Sequence, residues 1–215
     1  MTQYPREARL VDLLHLRGDD LTDNNDPLSA FKRYEQFPYE AWAPNQVRVE
    51  FVTRYAQGER LLDIACGGIP VTIDVMGLDK VGMDISPKAY AMGKGHFDSF
   101  YLVDFEATAI PTLQQTGQYD TIVASEFLEH TIRPAAVLHK MKALMKKKGR
   151  LIVTVPSGES LAMQVDKALH AGEWGRFEVF HKNHISLLSQ PEWEATFERV
   201  GLQIDVFDFR PTDIV

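Results

Sequence analysis

Short apolar runs alternate with segments of helical periodicity along most of the chain after Gly58. The runs are continuously apolar, which is typical of parallel strands that are buried on both faces. Strands that alternate with helical segments are typical of βαβ units. The pattern therefore predicts an α/β fold with a doubly wound, mostly parallel sheet and helices on both faces. The predicted strands are Leu61–Ala65, Lys80–Met83, Ser99–Val103, Tyr119–Ala124 and Arg150–Val155.

Two predicted helices begin at residues that are typical of helix N-termini. Ser86 is followed by Pro87, which gives an N-cap and a proline in the first turn. Ser189 and Glu192 have the spacing of a capping box. We therefore expect both helices to begin where these residues stand.

A third, amphipathic helix is predicted to begin at Pro134 and to continue into the run Lys146–Lys148, with Gly149 after it. Lysine is favourable in the last turn of a helix, because it interacts with the negative end of the helix dipole. This interpretation makes the lysine run a structural feature and not a binding patch.

The chain of 215 residues is long enough for one domain and too short for two full ones. Residues 1–58 are predicted to form an N-terminal helical extension or lid, with a turn-rich loop at Asp19–Pro27 and a helix at Gln46–Tyr55. Residues 59–215 are predicted to form the main domain, so that the chain is a single domain overall.

Composition and charge exclude some classes of function. The single cysteine, Cys66, rules out an intrachain disulfide framework. No apolar run is long enough to span a membrane, and the N-terminus lacks the apolar segment of a signal peptide. We therefore expect a cytoplasmic protein. The net charge of −7 disfavours nucleic acid as a partner and favours a small molecule, while the oligomeric state stays open.

Acidic residues stand at the ends of successive predicted strands. Asp63 lies in the first strand, which is followed by Gly67 and Gly68, and a helix is expected to begin at Pro70. Glycines at such a turn let the backbone approach a ligand closely. About twenty residues later the second strand ends in Asp84, where a carboxylate can accept both hydrogen bonds of a ribose diol. This spacing suits a bound adenosine, and by itself it fits NAD equally well.

Two further segments favour a different nucleotide cofactor. Asp104 and Phe105 follow the third strand, where they would lie beside the adenine. The segments LDIACGG, GMDIS, VDFEA, YDTIVASEFLEH and GRLIVTVPS resemble, in order and spacing, the motifs of small-molecule class I S-adenosylmethionine-dependent methyltransferases. The resemblance covers roughly residues 58–157 and implies a Rossmann-like domain that binds S-adenosylmethionine.

The resemblance also implies a role for each motif residue. The first motif would meet the methionine end of the cofactor, the second the ribose, the third the adenine, and the end of the fourth strand the region of the sulfonium. The family usually has glycine where this chain has Ala65 and Ile69. In chain order, the predicted cofactor-binding residues are Asp63, Ala65, Cys66, Gly67, Gly68, Asp84, Ile85, Asp104, Phe105 and Ser125.

A second candidate group follows the fourth strand. In a helical turn Glu126, Glu129 and His130 would share one face, and such donors suit magnesium or another divalent cation. The run resembles the metal-binding motif of ubiquinone-biosynthesis O-methyltransferases and of small-RNA 2′-O-methyltransferases, and His184 matches the later histidine of the RNA enzymes. Two alternatives stay open. The histidines could act as base or orienter without a metal, or the group could be purely structural.

We therefore predict methyl transfer to a small-molecule hydroxyl, with Glu126, His130 and His184 as candidate catalytic residues. An amine or RNA acceptor, a non-catalytic protein of the same fold and a nicotinamide-dependent oxidoreductase are the alternatives. A set of aromatic residues is an equally weighted candidate for the acceptor pocket or for core packing: Tyr34, Tyr39, Trp42, Trp174 and Phe180.

Overall fold

The computed structural model describes residues 43–157, 184 and 186–208. Within these residues the chain divides into two compact units. The first comprises residues 43–125 and 143–152, and the second comprises residues 126–142 together with the described residues from 153 onward. The predicted loop at Asp19–Pro27 lies outside the described residues. No described helix has the length and apolarity needed to cross a membrane.

The described residues form a five-stranded sheet whose strand order is β3-β2-β1-β4-β5. Each pairing of β1 with β2, of β1 with β4 and of β2 with β3 is parallel. β2 and β3 lie on one side of β1, and β4 and β5 lie on its other side. The switch point of this doubly wound sheet is therefore between β1 and β4. The predicted fold class is thereby confirmed. The strands are β1 Arg60–Ile64, β2 Asp79–Asp84, β3 Ser99–Leu102, β4 Tyr119–Ser125 and β5 Met145–Thr154.

The core of the first unit lies around the central strands. Leu61 of β1 and Val123 of β4 are completely buried. Helix α1, Gln46–Tyr55, packs Val49 and Val52 against them, and Asn45 caps this helix by accepting a 2.8 Å hydrogen bond from Val47 N–H. The predicted helix at Gln46–Tyr55 is therefore present with the same bounds.

Two more α-helices belong to the first unit. Helix α2, Pro87–Gly93, begins at the predicted N-cap, where Ser86 Oγ accepts a hydrogen bond from Ala89 N–H at 3.3 Å. A 3-10 helix, Lys94–His96, follows it directly. Helix α3 is a single turn, Ile110–Leu113.

The helix expected at Pro70 is absent, and that prediction was wrong. Residues 71–74 form turns, and the chain reaches β2 without a regular helix. Val71, Thr72 and Ile73 are β-branched and lose side-chain freedom in a helix, and Gly77 with φ 79° ends the segment soon afterwards.

The second unit contains a 3-10 helix, Leu128–His130, most of helix α4, Pro134–Leu144, and helix α5, Gln190–Val200. The predicted capping box begins α5, because Ser189 N–H donates to Glu192 Oε2 at 2.7 Å. At the other end of α5, Lys142 Nζ of α4 donates to the Val200 carbonyl at 2.8 Å and to the Gly201 carbonyl at 2.9 Å. These bonds join the two helices.

The lysine run is part of a strand and not of a helix, which corrects the predicted helix end. Helix α4 ends at Leu144, and Lys146–Lys148 belong to β5. Lys146 Nζ donates to Asp120 Oδ2 at 2.8 Å and thereby lowers the pKa of Asp120. β5 is the last strand in the order of the described sheet, and charged residues on such a strand oppose pairing with another chain.

Candidate functional site

The predicted carboxylates follow neighbouring strands of the first unit. Asp63 lies in β1 opposite Gly82, and Asp84 is the last residue of β2. Val103 N–H donates to the Asp84 carbonyl at 2.8 Å, so that the chain reaches Asp104 directly beside the end of β2. The carboxyl ends of the strands at a switch point are where α/β sheets bind ligands.

The glycine turn lies against the second carboxylate. Ala65 has φ 55° and Gly67 has φ 66°, both in the left-handed region, which reverses the chain after β1. Gly67 N–H then donates to Asp84 Oδ2 at 2.9 Å, and Cys66 N–H donates to the Met83 carbonyl at 3.3 Å. The structure therefore brings the predicted turn and Asp84 together.

The hydrogen bonds that Asp84 accepts replace only part of the hydration that its carboxylate loses on burial. Its second oxygen, Oδ1, accepts a hydrogen bond from Ser86 N–H at 2.8 Å. Burial raises the pKa of Asp84 to about 6, although its backbone hydrogen bonds oppose the rise. A carboxylate can accept about four hydrogen bonds, and the backbone N–H groups of Gly67, Ser86 and Ile85 already act on this one.

Burial raises the pKa of Asp63 more than that of Asp84. Its side chain accepts a 2.6 Å hydrogen bond from Thr72 Oγ1 between two buried residues. Burial raises the pKa of Asp63 to about 7, and the negative charge of Asp84 contributes to the rise. Lys80 and Thr72 oppose it. A group that supplies positive charge or hydrogen-bond donors here would favour the ionised form.

Cys66 is buried, and burial together with Asp63 and Asp84 raises the pKa of its thiol well above the usual range. The thiol is therefore neutral and a poor nucleophile. Its part in the turn is carried by its backbone, which bonds to β2.

The remaining predicted cofactor residues differ in exposure. Asp104 Oδ1 accepts a hydrogen bond from Ala107 N–H at 2.9 Å, which fixes the carboxylate after β3. Phe105 is buried, with 4% exposure, so its ring belongs to the core. Ile85 and Ser125 are half-buried, and Ser125 is the last residue of β4.

Gly93 also belongs to this site, although the sequence analysis did not identify it. A Cβ at Gly93 would lie 2.6 Å from the carbonyl oxygen of Gly67, closer than a Cβ approaches a non-bonded oxygen. Helix α2 therefore packs its last residue directly on the glycine turn. A glycine inside a helical pattern is a recognised signal of such close packing.

In the second unit, Glu129, His130 and His184 form a compact group. One donor atom from each lies within 4.8 Å of the others. Glu129 is completely buried, and His130 Nε2 lies 3.8 Å from Glu129 Oε1. The two imidazole rings meet edge to face with 4.8 Å between centroids. Carboxylate and imidazole donors suit a divalent cation, and the rings also suit proton transfer.

Hydrogen bonds from Ser186 hold the segment that carries His184, the member of the group that is far from the others in sequence. Ser186 N–H donates to the Glu129 carbonyl at 2.9 Å, and Ser186 Oγ donates to the Thr131 carbonyl at 2.7 Å. These bonds keep the segment that carries His184 beside Leu128–His130, so residues far apart in sequence meet.

Glu126 lies outside this group, and the helical turn predicted to include it does not form. Its φ is 51°, a left-handed conformation that interrupts a right-handed helix, and the 3-10 helix begins only at Leu128. Glu126 N–H donates to the Thr154 carbonyl at 2.8 Å, and Glu126 Oε1 accepts from Thr154 Oγ1 at 3.1 Å. The structure thus groups three of the four predicted metal ligands.

The predicted aromatic set lies outside the described residues. It comprises Tyr34, Tyr39, Trp42, Trp174 and Phe180. Its role stays a prediction.

Comparison with known proteins decides the family. A family model described as "Methyltransferase domain" matches residues 32–205, which is more than half of the chain. The chain belongs to this methyltransferase family. The membership confirms the resemblance to class I S-adenosylmethionine-dependent methyltransferases that the five motifs predict.

The curated relatives match only part of this chain, at about one third sequence identity. The chain is 33% identical over 132 residues to a ubiquinone biosynthesis O-methyltransferase of Bordetella avium, covering 58% of this chain and 52% of the relative. This chain thus spans about half the length of the curated relatives it matches.

Solved structures share the fold at low sequence identity. A magnesium protoporphyrin IX methyltransferase from Synechocystis with bound SAH matches with a TM-score of 0.61 and 16% identity, covering 82% of this chain and 89% of that one. A SAM-dependent methyltransferase from Archaeoglobus fulgidus matches with a TM-score of 0.54 and 19% identity, covering 82% and 74%.

Gly93→Ala tests the contact between α2 and the turn of this methyltransferase domain. Alanine normally stabilises a helix relative to glycine, but here its methyl group would displace the Gly67 carbonyl, and overpacking costs about 1–3 kcal/mol. We expect a lower melting temperature and weaker binding of S-adenosylmethionine. Gly95→Ala is the matched control, because a Cβ there meets nothing within 4 Å. Equal behaviour of the two variants would contradict the prediction.

Asp63→Asn tests the cost of burying this carboxylate. A raised pKa means that the unliganded protein loses stability as the pH rises from about 4, the ordinary value, to about 7. At pH 8 the variant should therefore be more stable than the original by about 2–4 kcal/mol, with little gain at pH 4. Urea unfolding at both pH values measures this.

Asp74→Asn is the control for this substitution, because Asp74 is an exposed aspartate in the turns after β1. It should show no such pH-dependent gain. A constant difference between Asp63→Asn and the original protein at both pH values would show that ionisation of Asp63 is not responsible.

Proposed function

We propose that this chain is an S-adenosylmethionine-dependent methyltransferase that acts on a hydroxyl group of a small molecule. The observation that carries the cofactor assignment is the pair of buried carboxylates, Asp63 and Asp84, beside the glycine turn. Asp84 would accept from the ribose of the cofactor, and Asp63 would pair with the ammonium group of its methionine end. Asp104 would accept from the exocyclic amine of the cofactor's adenine.

Methyl transfer makes limited demands on the protein. The reaction is an in-line displacement at the methyl carbon of a sulfonium, and the leaving thioether departs readily. The protein therefore has to hold the acceptor oxygen in line with the methyl group and exclude water. A hydroxyl acceptor also has to lose its proton, which requires a base or another means of lowering its pKa.

The group of Glu129, His130 and His184 is our candidate for acceptor activation. A neutral imidazole of either histidine can take the hydroxyl proton near neutral pH. The names of the curated relatives support an oxygen acceptor, since they are O-methyltransferases of ubiquinone biosynthesis. A phenolic or similar hydroxyl is the substrate class that we infer.

The same three residues fit a divalent cation such as magnesium. One carboxylate and two imidazoles would hold it, and the buried Glu129 would supply the negative charge. A bound cation would lower the pKa of an acceptor hydroxyl. In this arrangement Glu126 orients the segment through its bonds to Thr154 and is not a ligand.

Calorimetric titration tests the cofactor assignment. We expect S-adenosylmethionine and its demethylated product to bind and NAD not to bind. Asp84→Asn should weaken binding of both about tenfold to a hundredfold, because a hydrogen bond to a charged group contributes about 1.5–3 kcal/mol. Asp98→Asn, an exposed aspartate before β3, is the control. Binding of NAD, or of no nucleotide, would refute the assignment.

His130→Ala tests the acceptor group. Loss of a general base lowers turnover by about a hundredfold to ten-thousandfold, with cofactor affinity unchanged. Turnover of the original protein is also measured after EDTA and again after added magnesium. Loss and recovery would favour the cation, whereas insensitivity together with inactive His130→Ala would favour the base. Glu126→Gln is the matched control outside the group and should retain more activity. Full turnover by His130→Ala would exclude both roles.

A further inference from the structure

Thr72 occupies a special place in the segment after β1. It is completely buried, and its Oγ1 donates to Asp63 Oδ2 at 2.6 Å. Its carbonyl oxygen accepts from Lys80 Nζ at 3.3 Å and from Val75 N–H at 3.1 Å. Thr72 therefore connects the carboxylate of β1 with the ammonium group of β2. No motif of the sequence analysis includes it.

We propose that Thr72 is a positioning residue: its hydroxyl orients the carboxylate of Asp63 and keeps it ionised for binding of the cofactor. This inference rests on the proposed function and names a residue beyond it. Within the described part of the chain, Thr72 supplies the side-chain hydrogen bond that Asp63 receives. That bond engages Oδ2, and the backbone N–H of Thr72 also favours the ionised carboxylate.

The local backbone holds the hydroxyl in place. Ile73 N–H donates to the Pro70 carbonyl at 3.1 Å, and the bond from Val75 to Thr72 closes the next turn. A β-branched side chain such as threonine has few allowed rotamers on a fixed backbone. The hydroxyl therefore reaches Asp63 without further loss of side-chain freedom when a ligand binds.

The charges around Asp63 make this single hydroxyl important. The charged groups that act on it are Asp84 and Lys80, and Asp63 in turn raises the pKa of the neighbouring Cys66 thiol. Burial and Asp84 favour the protonated form of Asp63, and the Thr72 hydroxyl and Lys80 favour the ionised form. Without the hydroxyl the balance moves toward a neutral acid, which cannot pair with a cationic ligand group.

Thr72→Val removes the hydroxyl and keeps the shape of the side chain. We expect it to weaken binding of S-adenosylmethionine at pH 7 by about tenfold or more, as for loss of a hydrogen bond to a charged group. The pH at which binding reaches half its maximum should rise. Thr72→Ser keeps the hydroxyl and should restore both the affinity and the pH profile.

Thr121→Val is the matched structural control. Thr121 is completely buried in β4, and its Oγ1 donates to the Gln57 carbonyl at 2.8 Å, away from Asp63. It should lower the melting temperature without moving the pH profile. If Thr72→Val only lowers the melting temperature in the same way and binds the cofactor with the original pH profile, Thr72 is structural and the proposal is wrong.

A measurement without cofactor separates this inference from the proposed function. The carbon-13 chemical shift of the Asp63 carboxyl group is followed against pH in the unliganded original protein, Thr72→Val and Thr72→Ser. We expect a higher titration midpoint in Thr72→Val only, and an unchanged midpoint would overturn the role of Thr72. Failure of the original protein to bind S-adenosylmethionine would instead refute the proposed function.

Discussion

Two carboxylates, Asp63 and Asp84, are buried at the ends of neighbouring strands, and the structure around them compensates only in part for the water they lose. Backbone N–H groups of the glycine turn and of the segment before α2 point at Asp84, while Thr72 and Lys80 act on Asp63. Burial of a charge is costly unless partners replace its hydration. The pKa values of both residues stay above the usual range, which shows that the replacement is incomplete. Under the proposed function, a ligand with cationic and hydroxyl groups would supply what is missing, and its binding would stabilise the protein.

Glu129, His130 and His184 of the second unit are brought together by hydrogen bonds to the backbone. Glu129 and His130 come from adjacent positions, whereas His184 is held by the bonds of Ser186 to the Glu129 and Thr131 carbonyls. Because these are backbone acceptors, the group depends on the path of the chain more than on the identity of neighbouring side chains.

The sequence predicts most of the sheet because its strands are continuously apolar and lie between clear turn signals. β4, for example, extends only one residue beyond the predicted run. Three features depend on local conformation that periodicity does not report. The β-branched run after Pro70 stays in turns, the lysine run joins β5, and the left-handed conformation of Glu126 removes it from the turn that carries Glu129. Thr72 becomes apparent only in three dimensions, because it acts on a residue of a different strand. Gly93 carries a sequence signal, a glycine inside a helical pattern, but the signal does not identify the segment that it contacts.

The contact between Gly93 and the Gly67 carbonyl has a mechanical consequence. Neither a side chain nor a void separates the last residue of α2 from the backbone of the turn, so the two segments cannot move independently. Close-packed interiors transmit such displacements instead of absorbing them. A tilt of α2, whose end continues into the partly exposed 3-10 helix at Lys94–His96, is therefore passed to Gly67, whose N–H donates to Asp84. A displacement at the exposed end of α2 therefore also displaces the backbone that binds the buried Asp84 carboxylate.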